Sequence, residues 1–353
     1  MKAGLIGTGG VAEIHVRALR AIGIEVAAVM NHRLQTAQAF ARAQGIPVFS
    51  DHLKVFLDPE ISTVHICTPP VTHGPLILAL MEMRKNIVTE KPFTVADDEA
   101  WAIERFARDY PGIHAVNFNL RFYKSIQKAR SLIDAGTLGP LRLIHGYYLQ
   151  AFHILPAPYG WRYDPLLAGP MRAVTEIGSH WLDLSEYLSG QKILKVSALM
   201  KSFNPLRRLD KGIMYPPDSP EIDGPLVHVT SEDAAILQMI FEDGTLGSLV
   251  LSEVSHGHEN DLSIRISGDA GTLNWSSQDH QHLSLALKDT TEHFHFTDNF
   301  QSSFEAHFKD IYQAVKRGEK NSGPGFQEGA HITRLANAIL KSSQTQGKWV
   351  EVL

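Results

Sequence analysis

Six residues near the start of the chain, Gly7-Thr8-Gly9-Gly10-Val11-Ala12, narrow the fold more than any other feature. The apolar run of residues 3–7 leads into them. The stretch from Val11 to Ile22 follows, with Ile14, Ala18, Leu19 and Ile22 spaced for one face of a helix. Small residues at this spacing, where a buried strand turns into a helix, form the turn that cradles a dinucleotide pyrophosphate. In that reading Gly7 permits the tight turn and Gly9 clears the backbone for the phosphates. Ala12 lets helix and strand approach, and the N–H groups of Thr8, Gly10 and Val11 surround the anion. A purely structural glycine turn would show the same letters, so the surrounding pattern has to decide.

That pattern is an alternation. Glu25–Met30 reads as strand, residues 34–44 as helix, 63–67 as strand, 75–83 as helix, 86–89 as strand, 96–108 as helix and 114–118 as strand. Short apolar runs alternating with amphipathic stretches predict a doubly wound parallel sheet with helices on both faces. Beyond residue 122 the pattern changes. A helix over 125–135 precedes a long alternating strand, Leu141–Gln150, then a turn-rich segment and a helix from His180 to Leu188. Residues 203–232 hold five prolines and little periodicity, and read as a long surface excursion. Antiparallel strands are expected over 234–241, 245–253, 262–267 and 272–275, and helices over 304–316 and 329–342. At 353 residues the chain exceeds a single core. We expect a nucleotide-binding domain over 1–122 and a substrate-binding and oligomerisation α/β domain over 123–353. Alternation from Ala234 to Trp275 leaves one apolar sheet face if no helix covers it. Leu237, Met239, Phe241, Leu249 and Leu251 are the candidates, and a homo-oligomer is expected to bury them.

The net charge of -5 argues against a nucleic-acid footprint. No stretch approaches the ~20 apolar residues of a membrane helix. One cysteine, Cys67, excludes an internal disulfide, and the N-terminus shows no signal-peptide pattern, so a cytoplasmic location is expected.

Three sets of residues carry the expected chemistry. Asn31 stands about 20 residues beyond the glycines, where a ribose would be bound. A carboxylate there would repel a 2′-phosphate. Asn31 carries no charge, and His32 and Arg33 can accommodate that phosphate, which tilts the cofactor from NAD toward NADP. Glu90-Lys91-Pro92 closes a strand, the end of an open sheet at which ligands bind. Lys91 can take the hydroxyl proton when an alcohol loses hydride. Glu176 and His180, four apart, share a face if helical, and the carboxylate can orient the imidazole. A zinc site on Glu176 and His180 is the sharper alternative, but no Cys or His pair with ligand spacing accompanies them, and no metal is expected.

Together these segments resemble the Gfo/Idh/MocA family (glucose-fructose oxidoreductase, inositol dehydrogenase and relatives). The resemblance rests on Gly7–Ala12, Thr68-Pro69-Pro70-Val71-Thr72-His73, Glu90-Lys91-Pro92, Phe118-Asn119-Leu120-Arg121-Phe122, Gly160-Trp161-Arg162-Tyr163-Asp164 and Gly178-Ser179-His180-Trp181-Leu182-Asp183. It implies a Rossmann domain followed by an α/β domain with a large open, mostly antiparallel sheet, packed in dimers or tetramers. It implies that Lys91 and His180 flank the substrate carbon, and that Thr68, Pro69, His73 and Glu90 line the cofactor. Asn119, Trp161 and Arg162 would lie near its nicotinamide end. Substrates would be sugars, polyols or cyclitols. A cofactor-retaining epimerase or glycosidase and a non-catalytic nucleotide-binding regulator are the alternatives. Two positions depart from the family pattern. Glu176 stands where aspartate is usual, which moves the carboxylate by ~1.5 Å. Gly169-Pro170-Met171-Arg172 replaces a run of glycines.

Overall fold

A computed structural model describes residues 1–320 and 323–352, which form two compact units. The first contains β1 (Lys2–Ile6), α1 (Gly10–Ala21), β2 (Glu25–Met30), α2 (Leu34–Gln44), β3 (Val48–Ser50), β4 (Ile61–Ile66), α3 (His73–Glu82), β5 (Asn86–Thr89), α4 (Asp97–Ala107) and β6 (His114–Val116). Its six strands are parallel in the order β3-β2-β1-β4-β5-β6. The direction of winding reverses between β1 and β4, and this switch point is where an open α/β sheet leaves a crevice at its carboxyl edge. Ala3, Leu5, Val29 and Val88 are buried, as expected for strands covered on both faces.

The unit runs over Met1–Phe122 and also takes in Asp298–Thr333. A linear division at residue 122 leaves this return out. Its cause is the amphipathic helix Phe300–Arg317, whose Phe304, Phe308, Ile311 and Tyr312 share a core with Val16 and Leu19 of α1. Sequence shows that such a helix has an apolar face, but not which sheet that face meets.

The second unit spans Tyr123–Thr297 and Arg334–Leu353. It contains α5 (Lys124–Asp134), β7 (Leu141–Gln150), β8 (Ala157–Pro158), α6 (Pro165–Ala168), α7 (Ser179–Ser189) and β9 (Ile193–Lys201). Then follow β10 (Leu206–Asp210), β11 (Ile213–Tyr215), β12 (Leu226–His228), β13 (Ala234–Phe241), β14 (Leu246–Ser252), β15 (Glu259–Gly268), β16 (Gly271–Ser276), β17 (His282–Leu287), β18 (Thr291–His295) and β19 (Val350–Glu351). Nine strands form one sheet, β18-β17-β16-β15-β7-β14-β13-β9-β19. The β7–β14 pair is parallel and the others are antiparallel.

Two expectations are corrected here. The first is the surface excursion over 203–232. Its strands β10, β11 and β12 join β8 in a four-stranded sheet, β12-β10-β11-β8, with Ala157, Tyr163, Met214 and Val229 as a small core. Pro205, Pro216 and Pro225 flank these strands rather than interrupt them, which is where proline is tolerated.

The second correction concerns the open sheet face. Leu237, Met239, Phe241, Leu249 and Leu251 are buried inside the chain. The α7 helix lies over that face. Trp181 donates its indole N–H to the Ser263 carbonyl at 3.0 Å, in space that Gly146 leaves by lacking a Cβ. The exposed apolar side chains have the opposite parity. Leu199 and Ile236 are each 59% exposed, Leu246 55% and Val250 44%. Strand register aligns Leu199, Ile236 and Val250 in one row across β9, β13 and β14. Alternation reveals two faces, but which one a helix covers is a tertiary fact.

Candidate active-site residues

In the first unit, the chain leaves β1 through Gly7, which has φ +100°. A Cβ there would lie 2.3 Å from the Cys67 carbonyl oxygen, so the turn requires glycine twice over. A Cβ on Gly9 or Gly10 would meet open space. Gly9 caps α1 through its backbone alone, with no side-chain cap. Ala12 is fully buried against the sheet. Asn31, at the end of β2, donates from Nδ2 to Thr8 Oγ1 at 2.8 Å and accepts the Arg33 N–H at 3.0 Å. His32 and Arg33 are exposed. Open space beside an uncapped helix start, with an amide where the ribose would lie, fits a dinucleotide.

The loops after β4 and β5 are tied together from inside. His73 is fully buried. Its Nε2 faces the Thr68 carbonyl at 2.9 Å, while Nδ1 faces the carbonyls of Pro92 at 3.0 Å and Phe93 at 3.1 Å. Burial lowers its pKa against the pull of those carbonyls. The Thr72 hydroxyl bonds Thr68 Oγ1 and the Pro69 carbonyl, each at 2.7 Å, and leaves Thr68 and Pro69 partly exposed. Asn119 is buried too, donating to Ser303 Oγ at 2.8 Å. Thus His73 and Asn119, expected beside the cofactor, have their side chains committed within the unit as braces.

Lys91 follows β5, is partly exposed, and is joined to Pro92 by a cis peptide. Glu90 beside it is buried. Its Oε2 accepts the Lys91 N–H at 3.2 Å, and its Oε1 is shared by His15 Nε2 at 3.0 Å and Asn117 Nδ2 at 2.5 Å. Burial alone would raise the Glu90 carboxyl, but His15, Lys91 and Asn117 pull its pKa down to about 2. Of the sequence-derived residues, the unit therefore brings together Gly7 to Val11, Asn31, Thr68, Pro69, Glu90 and Lys91 at the carboxyl edge of β1, β2, β4 and β5.

In the second unit, Glu176 lies in a π-helical turn, Val174–Gly178, that runs into α7. Such turns recur at functional sites. Glu176 Oε2 accepts from Arg162 Nε at 2.9 Å, and the Arg162 guanidinium lies 4.5 Å over the Trp161 ring. These three residues, singled out separately in sequence, form one group. His180 is in the first turn of α7, partly exposed, with its ring 6.4 Å from that of Tyr148.

The substituted segment conceals a group that sequence reasoning missed. Arg172 is fully buried. It donates to Asp233 Oδ1 at 2.5 Å, lies 2.9 Å from Glu253 Oε2, and sits 4.7 Å over the Tyr163 ring. Arg207 reaches the same Asp233 oxygen at 2.8 Å. The Glu232 carboxylate accepts the N–H groups of Arg172 and Val174, which fixes the start of the π turn. His153 Nδ1 is 2.5 Å from the Tyr163 hydroxyl. Three carboxyls face two guanidiniums, so one carboxyl best holds a proton. Glu253 is that group, since burial pushes it to about 8 against the pull of Arg172. Burial, with Arg172 and Arg162 adding to it, takes His153 down to about 3. The only sequence signal was one arginine where small residues are usual; its acidic partners lie 60 or more positions away.

Residues 1–118 match the oxidoreductase family with an NAD-binding Rossmann fold, and residues 126–274 match the Gfo/Idh/MocA C-terminal domain. The chain belongs to the Gfo/Idh/MocA oxidoreductase family. Levoglucosan dehydrogenase of Pseudarthrobacter phenanthrenivorans is 26% identical over 329 residues, spanning 86% of this chain and 83% of its own. Glucose-fructose oxidoreductase domain-containing protein 2 of Xenopus laevis is 24% identical over 379 residues, spanning 99% and 93%. Among solved structures, levoglucosan dehydrogenase in complex with NADH and L-sorbose matches with a TM-score of 0.92 at 24% identity, covering 100% of this chain and 99% of that one. An inositol dehydrogenase homolog complexed with NAD+ from Azotobacter vinelandii gives 0.86 at 21%, covering 99% and 97%. These likenesses establish the fold: a parallel Rossmann sheet followed by a large mixed sheet. Among the described residues no helix is long and apolar enough to cross a membrane, and no cluster of three or more His, Cys, Asp or Glu side chains could hold a metal ion.

Proposed function

We propose that this oxidoreductase is an NAD(P)-dependent dehydrogenase or reductase acting on a hydroxyl or carbonyl of a sugar, polyol or cyclitol. The observation that carries the reading is Lys91 at the end of β5, backed by a buried carboxylate, on the same sheet edge as the glycine cradle. Bound in that cradle, the cofactor supplies the hydride acceptor or donor. Lys91 Nζ takes the hydroxyl proton as the alcohol becomes a carbonyl and returns it in reduction. We assign His180 a second proton-handling role. Glu176, through Arg162, holds the electrostatics of its turn, and Trp161 and Arg162 serve the nicotinamide end. The solved relatives named above carry NADH with L-sorbose and NAD+ respectively, which supports the substrate class and the cofactor type. A buried single cysteine supports a cytoplasmic setting, and the net charge of -5 supports a small-molecule partner over nucleic acid.

For the cofactor, we expect binding of both nucleotides with a slight lean to NADP, because the end of β2 offers Asn31, His32 and Arg33 and no carboxylate. Calorimetric titration with each tests this. A preference for NAD of tenfold or more, about 1.4 kcal/mol, would remove the lean.

For assembly, we propose a homodimer or homotetramer that buries the exposed row Leu199–Ile236–Val250. The wild-type protein should scatter light as an oligomer at micromolar concentration. Ile236→Lys with Val250→Lys should shift it toward monomer while leaving its thermal transition cooperative. An unchanged mass in the double variant would place the interface elsewhere.

A further inference from the structure

Behind Lys91 runs a buried chain of polar side chains that the proposed chemistry does not use. The Tyr312 hydroxyl lies 3.1 Å from His65 Nε2, and His65 Nδ1 lies 3.0 Å from His15 Nδ1. His15 Nε2 lies 3.0 Å from Glu90 Oε1. Tyr312 is 3% exposed, His65 and His15 0%, and Glu90 6%, so the chain of side chains is shielded from bulk solvent. A carboxylate only accepts hydrogen bonds, so His15 Nε2 must carry a proton toward Glu90. A single further proton then lies between the two facing Nδ1 atoms. Burial holds His65 neutral, with its pKa well below the ordinary histidine value. On the other side, Asn117 donates to Glu90 and accepts from His307 Nδ1 at 3.1 Å.

The geography gives the chain a meaning. His15 sits on α1, the helix that begins at the glycine cradle, and His65 sits on β4. Tyr312 and His307 sit on the Phe300–Arg317 helix. Glu90 ends β5 and takes the Lys91 N–H on its second oxygen. One carboxylate therefore ties the cradle helix to the residue proposed to move the proton.

We infer that Glu90 is a positioning residue for Lys91, and that His15, braced by His65 and Tyr312, is the residue that fixes Glu90. This deepens the dehydrogenase reading and rests on it for its catalytic consequence. The hydrogen bonds from His15 and Asn117 keep the carboxylate in one place, and its second oxygen holds the Lys91 N–H, which fixes the backbone that carries the Lys91 side chain. The titratable groups facing Glu90 are His15 from α1, His307 from the Phe300–Arg317 helix, and Lys91 itself. Cys67 after β4 and His73 of α3 lie within its electrostatic reach, and burial keeps the Cys67 thiol well above its ordinary pKa.

The test uses the full chain and needs no substrate. Lys91 is labelled with trace acetic anhydride at one fixed alkaline pH, and the peptide that carries it is quantified by mass spectrometry against the other lysine peptides. In Glu90→Gln the Lys91 labelling rate should rise by about threefold or more, because the Lys91 N–H loses its charged acceptor and the segment loosens. His15→Leu should raise it too, because the carboxylate loses the donor that holds it in place. His15→Gln, whose amide N–H can still donate to Glu90, should keep the wild-type rate. An unmoved rate in Glu90→Gln overturns the inference, and so does a His15→Gln rate displaced as far as that of Glu90→Gln. If His15→Leu fails to fold, Glu90→Gln and His15→Gln still decide. In turnover, Glu90→Gln and His15→Leu should lower kcat by about tenfold or more, with nucleotide KM nearly unchanged. A wild-type protein with no nicotinamide-linked turnover would sink the dehydrogenase reading, while the labelling rates would still judge the anchoring of Lys91.

Discussion

Replacing Lys91 by methionine should lower turnover by ~10²–10⁴-fold, the usual loss when an acid–base group is removed. Methionine keeps the length and apolar stem of the side chain and removes the ammonium. The cradle glycines, Thr8 and Asn31 are untouched, so nucleotide affinity by titration should change only slightly. His180→Ala should also remove most turnover with the nucleotide still bound. Glu176→Gln should act more weakly and with a pH dependence, because it removes a titratable charge that pairs with the exposed Arg162. Unchanged kcat in Lys91→Met would transfer the proton to another group, with His180 first in line.

The second large effect should be on stability. Arg172→Leu leaves Asp233, Glu232 and Glu253 buried with one guanidinium instead of two. Removing one partner of a buried ion pair typically costs about 3–5 kcal/mol. Denaturant unfolding at neutral pH measures the loss, and adding Glu253→Leu should recover part of it by removing a carboxyl that the lost cation had faced. The pH dependence has a definite sign. The Glu253 carboxyl is raised in the folded state from 4.5 to about 8. Its contribution is therefore fully present below pH 4.5 and is lost as pH rises through about 8. Glu253→Gln should flatten that decline. A decline of the same slope in the variant would assign the proton to another group.

How much of this was legible in the sequence depends on whether the determinant was local. The cradle was legible because a φ of +100° at Gly7 and an unfilled Cβ position at Gly9 leave their mark in residue type. Strands β2, β5, β7 and β13 have the bounds that periodicity implies, because burial on one or two faces writes itself into the apolar pattern. Strands β17 and β18 were not foreseen. β17 does alternate, with Leu283 and Leu285 buried, whereas β18 is mostly polar and exposed at the sheet edge, where it pairs with β17 alone. The membership of Phe300–Arg317 in the first unit and the choice of the covered sheet face depend on distant packing. So does the Arg172 group, where one arginine meets acids from 232, 233 and 253. Lys91 could be picked out from its place at a strand end. What fixes it, a histidine 75 residues from Glu90 on the cradle helix, could not.

The most direct measurement is the absorbance of reduced nicotinamide when the purified protein is mixed with NAD or NADP and a panel of sugars, polyols and inositols. The account predicts substrate-dependent formation of NADH or NADPH with at least one of them, abolished in Lys91→Met. Nucleotide that binds but is never reduced across the panel, and carbonyl forms of the same compounds that never oxidise NADH or NADPH, would contradict it.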